Sequence, residues 1–207
     1  MRRRALVVPA SSPSAVTLVL DALGSGLVAA VPTDTVYGLV ADPGRRSAVA
    51  ALAAAKGRSA SQDLQLLVRS PGEADALAGG LPEPARRLAE RFWPGALTIV
   101  VDRAPGVALD LGGDGTSIGM RCPDHPFALG LCATFGPLAA SSANRHGDPP
   151  FAGAAEIAEV LGTGVAVVVD GGLCTGRSST VVDCRPSPPT CLREGSVPFS
   201  AVVEALG

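Results

Sequence analysis

The sequence predicts one α/β domain, residues 1–207, built on a mixed sheet. Three observations lead there. Short apolar runs bounded by Pro or Gly recur along the whole chain. Stretches with helical periodicity separate them, the alternation typical of α/β folds. Late in the chain, 180–184 and 190–193 flank Arg185-Pro186-Ser187-Pro188-Pro189, a loop suited to joining antiparallel strands, so the sheet is not purely parallel. The composition shows no internal repeat and no obvious linker.

Taken in order, the chain opens with Met1-Arg2-Arg3-Arg4-Ala5-Leu6-Val7-Val8-Pro9, basic and then apolar. Its apolar part falls short of the about 7–15 residues of a secretory leader, so it reads as the N-terminal strand of a cytoplasmic protein. Ser12-Pro13-Ser14 starts a helix whose apolar face runs over 15–23 and which stops at Gly24. A strand at 27–31 ends at Pro32. Asp42 is suited to cap the next helix, 46–55, which is Ala-rich with Val49 and Leu52 on one side. A strand at 64–68 follows. Pro84 sits in the first turn of a helix over 84–92, ahead of a strand at 97–101. Strand 117–120 has helix 126–134 behind it. Strand 138–140, helix 154–161 and strand 165–169 continue the alternation, and helix 199–206 closes it.

Composition narrows the function classes. Hydrophobic residues make up 47% of the chain but aromatics only 3%, which calls for a fine-grained aliphatic core. The formal charge of −2 offers no global basic field for nucleic acid or membrane, so any anion site is local. No apolar stretch reaches the ~18 residues of a membrane span. Five cysteines without a C-x-x-C, beside two histidines, read as reduced thiols rather than a zinc site. The P-loop, the dinucleotide fingerprint, H-E-x-x-H and G-x-S-x-G are all missing. Gly112-Gly113-Asp114-Gly115 reads as a flexible turn before it reads as an anion nest.

Polar residues gather instead around the predicted strands: Thr33, Asp34 and Thr35; Lys56 and Arg58; Ser117 and Arg121; Ser142 and Asn144; Ser178 and Ser179; Arg193. Ligands of open α/β sheets bind beyond strand ends, which would bring these groups to one crevice. Singly, each has a plain structural reading. Thr33-Asp34-Thr35 suits a turn and cap, Lys56 and Arg58 a solvated helix end, and Ser142 with Asn144 a turn. Arg121 suits a surface ion pair. His125 and His146 suit solvated loops, and Trp93 a core aromatic at a helix end.

Their joint order changes the balance. PTDTVYGL (32–39), KGR (56–58), FWPGALTIV (92–100), SIGMRCPDHP (117–126), SSAN (141–144), STVVD (179–183) and LREG (192–195) together resemble the threonylcarbamoyl-AMP synthase family of YrdC-like proteins. The resemblance implies a twisted mixed sheet with flanking helices around a deep cationic cavity. It implies formation of threonylcarbamoyl-adenylate and pyrophosphate from L-threonine, bicarbonate and ATP with Mg²⁺. A downstream tRNA threonylcarbamoyl transferase would take the product. Carried over residue by residue, Lys56 and Arg58 would be catalytic. Thr35, Arg121, Ser142 and Ser179 would bind L-threonine. Lys56, Arg58, Gln62, Ser117, Ala140, Asn144 and Arg193 would bind ATP, and no metal ligand is assigned. Tyr37-Gly38 would turn the chain and wall the pocket, with Asp34 as a turn or support residue.

The chain departs from the family pattern at Leu67, where many members carry a polar residue, at Ala96 in place of a proline, and at His146 in place of a serine. Alternative readings are a paralogous carbamoyl-adenylate-forming or carbamoyl-transfer enzyme with another acceptor, and a non-catalytic module that binds RNA weakly.

Overall fold

The structure, a computed structural model, describes residues 5–57, 64–113 and 115–207. Its strands are β1 (Leu6–Pro9), β2 (Ala29–Val31), β3 (Gly38–Ala41), β4 (Gln65–Leu67), β5 (Leu97–Asp102), β6 (Ser117–Arg121), β7 (Leu138–Ser142), β8 (Val167–Asp170), β9 (Thr180–Asp183) and β10 (Thr190–Arg193). Its helices are α1 (Ala15–Gly24), α2 (Arg46–Ala55), α3 (Pro71–Ala78), α4 (Glu83–Phe92), α5 (Pro126–Phe135), α6 (Ala154–Val160) and α7 (Phe199–Leu206). The strands join in one mixed sheet, ordered β1-β8-β2-β3-β7-β4-β6-β5-β9-β10. β8 runs parallel to β1 and β2, β4 to β6, and β5 to β9, while the other neighbours are antiparallel.

Period-two alternation divides the sheet into two apolar faces. Ala29, Val31, Leu138, Val167 and Val169 meet Val19 and Leu23 of α1 and Leu131 and Cys132 of α5. Ala30, Leu39, Leu66, Ala139 and Val168 belong to the opposite core, with Leu52 of α2, Leu88 of α4 and Ile157 of α6. Burial on both faces is why these strands read as continuous apolar runs. Over β4, β6, β5 and β9 the first face changes character. Leu97, Ile99, Ile118, Met120 and Val182 still enter the second core. The alternate positions, Gln65, Thr98, Val100, Ser117, Gly119, Arg121 and Val181, line a cavity instead.

Two elements escape the sequence pattern. Tyr37-Gly38 does not turn the chain: Gly38 opens β3 and pairs with Val31, so β2, loop 32–37 and β3 form a hairpin. β3 is buried at every position and so lacks the alternation that marks a strand. Helix α3 carries few apolar residues, but its start has a capping-box signature. Glu73 N donates to Ser70 Oγ at 3.3 Å, and Arg69 N to Glu73 Oε2 at 2.8 Å.

Three local expectations are also corrected. Asp42 does not cap α2. Its Oδ1 accepts from Gly44 N at 2.8 Å in a turn ahead of the helix, whose cap position is Arg45. Ser141 and Ser142 extend β7 rather than follow it. His125 is half-buried, and its Nδ1 accepts from Phe127 N at 3.2 Å to cap α5. Burial lowers its pKa, so it is neither a solvated loop residue nor a cation at neutral pH. No helix among the described residues is long and apolar enough to cross a membrane.

Candidate functional site

A cavity of about 280 Å³ stands on the face of the sheet, not beyond its strand ends. The strand-end rule belongs to open parallel sheets with helices on both faces, whereas here the sheet is mixed, with β2, β3, β7 and β4 alternating in direction and β4 parallel to β6. Gln65, Thr98, Gly119 and Ala140 form the floor, and Thr33 and Thr35 of loop 32–37 close one side. Ser179 and Arg193 close another. Gly119 keeps the floor deep. A Cβ there would meet Val100 Cγ2 at 3.5 Å and Thr98 Cγ2 at 3.6 Å, ordinary contacts, and any longer side chain would extend into the cavity. Gly119→Val is therefore expected to fold with a melting temperature within a few degrees of the parent yet lose ligand affinity at least ~10-fold, measurable by calorimetry.

Arg121, 3% exposed, holds one end of the cavity. Its Nε donates to Gly95 O at 2.9 Å, Nη1 to Thr35 Oγ1 at 2.8 Å and Nη2 to Asp34 Oδ1 at 2.5 Å. Asp34 Oδ1 also accepts from Asp124 N at 3.1 Å, so Asp34 is the support residue of this end. Thr33 Oγ1 donates to Val36 O at 2.6 Å, which makes Thr35 the donor in the 3.1 Å contact between the two hydroxyls. Thr35 thus offers substrate an acceptor. This pair is not the surface ion pair that Arg121 alone suggested. Burial pulls the Arg121 pKa down, Asp34 opposes it, and a guanidinium stays charged throughout.

Another wall rests on Arg193. Its Nε and Nη2 donate to Ser179 O at 3.2 and 2.9 Å, and Nη2 to Ser179 Oγ at 3.2 Å. Ser179 Oγ lies 2.9 Å from Thr98 Oγ1, which donates to Gln65 Oε1 at 2.8 Å. Gly195 presses against this wall: a Cβ there would lie 2.0 Å from Ser178 O. Thr180 Oγ1 fastens the same crossing by accepting from Gly195 N at 2.8 Å. The LREG and STVVD segments are therefore one structural unit.

Lys56 and Asn144 stand behind the rim. Lys56, 3% exposed, donates through Nζ to Ser142 O and, at 2.8 Å, to Asn144 Oδ1. Ser142 Oγ donates to Asn144 Oδ1 at 2.5 Å, and Asn144 Nδ2 donates to Arg145 O and Asp148 O, both at 2.7 Å. Ser142 lines the cavity with Ser117 and Ala140, whereas Lys56 and Asn144 are not among its lining residues. Arg58 and Gln62 lie outside the described residues.

The cavity also exposes groups that the sequence reading passed over: Gln65, Thr98, Leu111 and Arg185. Gln65 and Thr98 were signalled as single polar residues inside apolar runs. Arg185 forks onto Asp183, with Nε at 2.9 Å from Oδ1 and Nη2 at 2.7 Å from Oδ2, and this holds the Asp183 carboxyl below its usual range. Burial pushes the thiols of Cys122, Cys132 and Cys184 up to about 11, about 12 and about 12, so these three are poor nucleophiles. Among the described residues, no three His, Cys, Asp or Glu side chains gather as a metal site.

A family model named Sua5_yciO_yrdC, described as telomere recombination, matches residues 21–195. A Mycobacterium tuberculosis protein is 41% identical over 189 residues, covering 91% of this chain and 87% of its own. The threonylcarbamoyl-AMP synthase of Chromohalobacter salexigens is 39% identical over 166 residues, 79% of this chain and 89% of that protein. Among solved structures, Pyrococcus abyssi Sua5 complexed with L-threonine superposes with a TM-score of 0.86 at 33% identity. That match covers 98% of this chain and 61% of the Pyrococcus chain.

Proposed function

Because the chain belongs to the Sua5/YciO/YrdC family, we propose that it is an L-threonylcarbamoyl-adenylate synthase acting in tRNA modification. One observation carries the proposal: Arg121 and Arg193 line a single cavity, with several hydroxyls and a carboxamide among its other lining groups. The reaction needs that layout, since it joins two anions and expels a third.

The amine of threonine and bicarbonate give a carbamate and water. One carbamate oxygen then attacks the α-phosphorus of ATP, and the bond to the β-phosphate breaks to release pyrophosphate. No protein nucleophile takes part, so positioning and electrostatics supply the catalysis. In this reading Arg121 receives the threonine carboxylate through the second N–H of each Nη. Thr35, Ser142 and Ser179 contact the amino acid. Ser117, Ala140, Asn144 and Arg193 serve the nucleotide together with Arg58 and Gln62. Lys56 supports both halves of the site, through Ser142 on the amino-acid side and Asn144 on the nucleotide side, and its charge favours the phosphates. Mg²⁺ enters with the ATP phosphates as part of the substrate. A cytoplasmic transferase would move the threonylcarbamoyl group to tRNA.

Purified protein given ATP, Mg²⁺ and bicarbonate is expected to release pyrophosphate only when L-threonine is added. Equal release without threonine, or with a different amine alone, would point to a carbamoyl-adenylate enzyme with another acceptor and overturn this reading.

A further inference from the structure

Gln65 lies on the cavity floor. Its register partners are Gly119 of β6 and Ala140 of β7, so small neighbours leave its carboxamide unscreened above the sheet. The oxygen of that carboxamide is held, because Thr98 Oγ1 donates to Gln65 Oε1 at 2.8 Å. This bond uses the only hydroxyl proton of Thr98, so Ser179 is the donor in the 2.9 Å contact with Thr98. Ser179 Oγ in turn accepts from Arg193 Nη2 at 3.2 Å. Hydrogen bonds therefore run one way, from Arg193 through Ser179 and Thr98 to Gln65. They end at the Gln65 NH₂, which donates to no acceptor among the described residues.

We propose that Gln65 is a substrate-contacting, specificity-determining residue whose NH₂ donates to the carbamate made from bicarbonate and the amino acid's amine. The inference rests on the synthase reading. With a carboxylate held at Arg121 of β6 and phosphates toward Arg193 of β10, the carbamate falls over the strands between them, β5 and β9, and Thr98 of β5 holds the Gln65 carboxamide at their edge. Bicarbonate and amine give carbamate and water. As one carbamate oxygen bonds to the α-phosphorus and pyrophosphate leaves with the electron pair of the broken P–O bond, the other oxygen remains as a carbonyl. A neutral amide suits that second oxygen. It stabilises the anion by hydrogen bonding, whereas a cation would hold the attacking oxygen as an ion pair and blunt it.

Gln65→Glu tests this directly, because it keeps side-chain length and the acceptor for Thr98 while replacing the donor NH₂ by a carboxylate oxygen. The kcat/KM for bicarbonate is expected to fall at least ~10-fold in Gln65→Glu. Gln65→Leu, which lacks donor and acceptor but adds no charge beside the phosphates, should show the same loss with the Kd of ATP alone changed less than ~3-fold by calorimetry. An unchanged bicarbonate kcat/KM in Gln65→Glu, or an equal loss in ATP affinity in Gln65→Leu, would overturn the role of Gln65 while leaving the synthase reading intact. Absence of threonine-dependent pyrophosphate release from the parent protein would instead remove the synthase reading, and this inference with it.

Discussion

Replacing Arg121 with alanine is expected to lower kcat/KM for L-threonine by at least ~100-fold and to raise the threonine KM more than the ATP KM. The substitution removes three hydrogen bonds at once, to Gly95 O, Thr35 Oγ1 and Asp34 Oδ1. It also strands a carboxylate whose side chain is only 15% exposed. Breaking one partner of a buried ion pair costs about 3–5 kcal/mol. In a chain this long, 3 kcal/mol corresponds to a melting temperature lower by roughly 6–12 °C. Stability and function separate in two further variants. Asp34→Ala added to Arg121→Ala removes the stranded charge and should recover much of the lost stability without recovering threonine turnover. Arg121→Lys restores a charge but not a planar fork able to reach three acceptors, so its threonine kcat/KM should stay low. A larger effect on the ATP KM would show that the two ends of the cavity have been exchanged.

Lys56→Ala is expected to destabilise the protein by about 3 kcal/mol, because it leaves Ser142 O and Asn144 Oδ1 without the ammonium they accept from. Thermal denaturation should register a drop of roughly 6–12 °C. Because Ser142 lines the cavity and Asn144 anchors the following turn, ATP turnover should fall by at least ~10-fold in protein held well below its melting temperature. Lys56→Arg should not rescue it, since a fork of different shape must fit a pocket built for a compact ammonium. A variant with normal stability but lost ATP binding would make Lys56 a direct phosphate ligand rather than the anchor of Ser142 and Asn144.

Most helices and strands were legible, because caps and apolar faces are local. Helices α1 and α2 and strand β10 fall where the sequence places them. Thr35, Ser117, Arg121, Ala140, Ser142, Ser179 and Arg193, carried over from the family motifs, all line one cavity. The position of that cavity was not legible. It depends on β4 pairing with β7 on one side and β6 on the other, contacts between distant parts of the chain that leave no mark in local periodicity. Gln65 and Thr98 illustrate the loss: each is one polar residue in a short apolar strand, and only the assembled sheet shows that both face the same space. Asp34 looked like a turn residue because its partner, Arg121, lies 87 positions away.

In the proposed reaction this one cavity joins threonine, bicarbonate and ATP. The most direct measurement is mass spectrometry of the adenylate formed from ¹³C-bicarbonate, L-threonine and MgATP. Threonylcarbamoyl-AMP carrying the ¹³C label, formed in step with pyrophosphate, is the expected product. An adenylate that contains label but no threonine, or pyrophosphate released without any labelled adenylate, would contradict it.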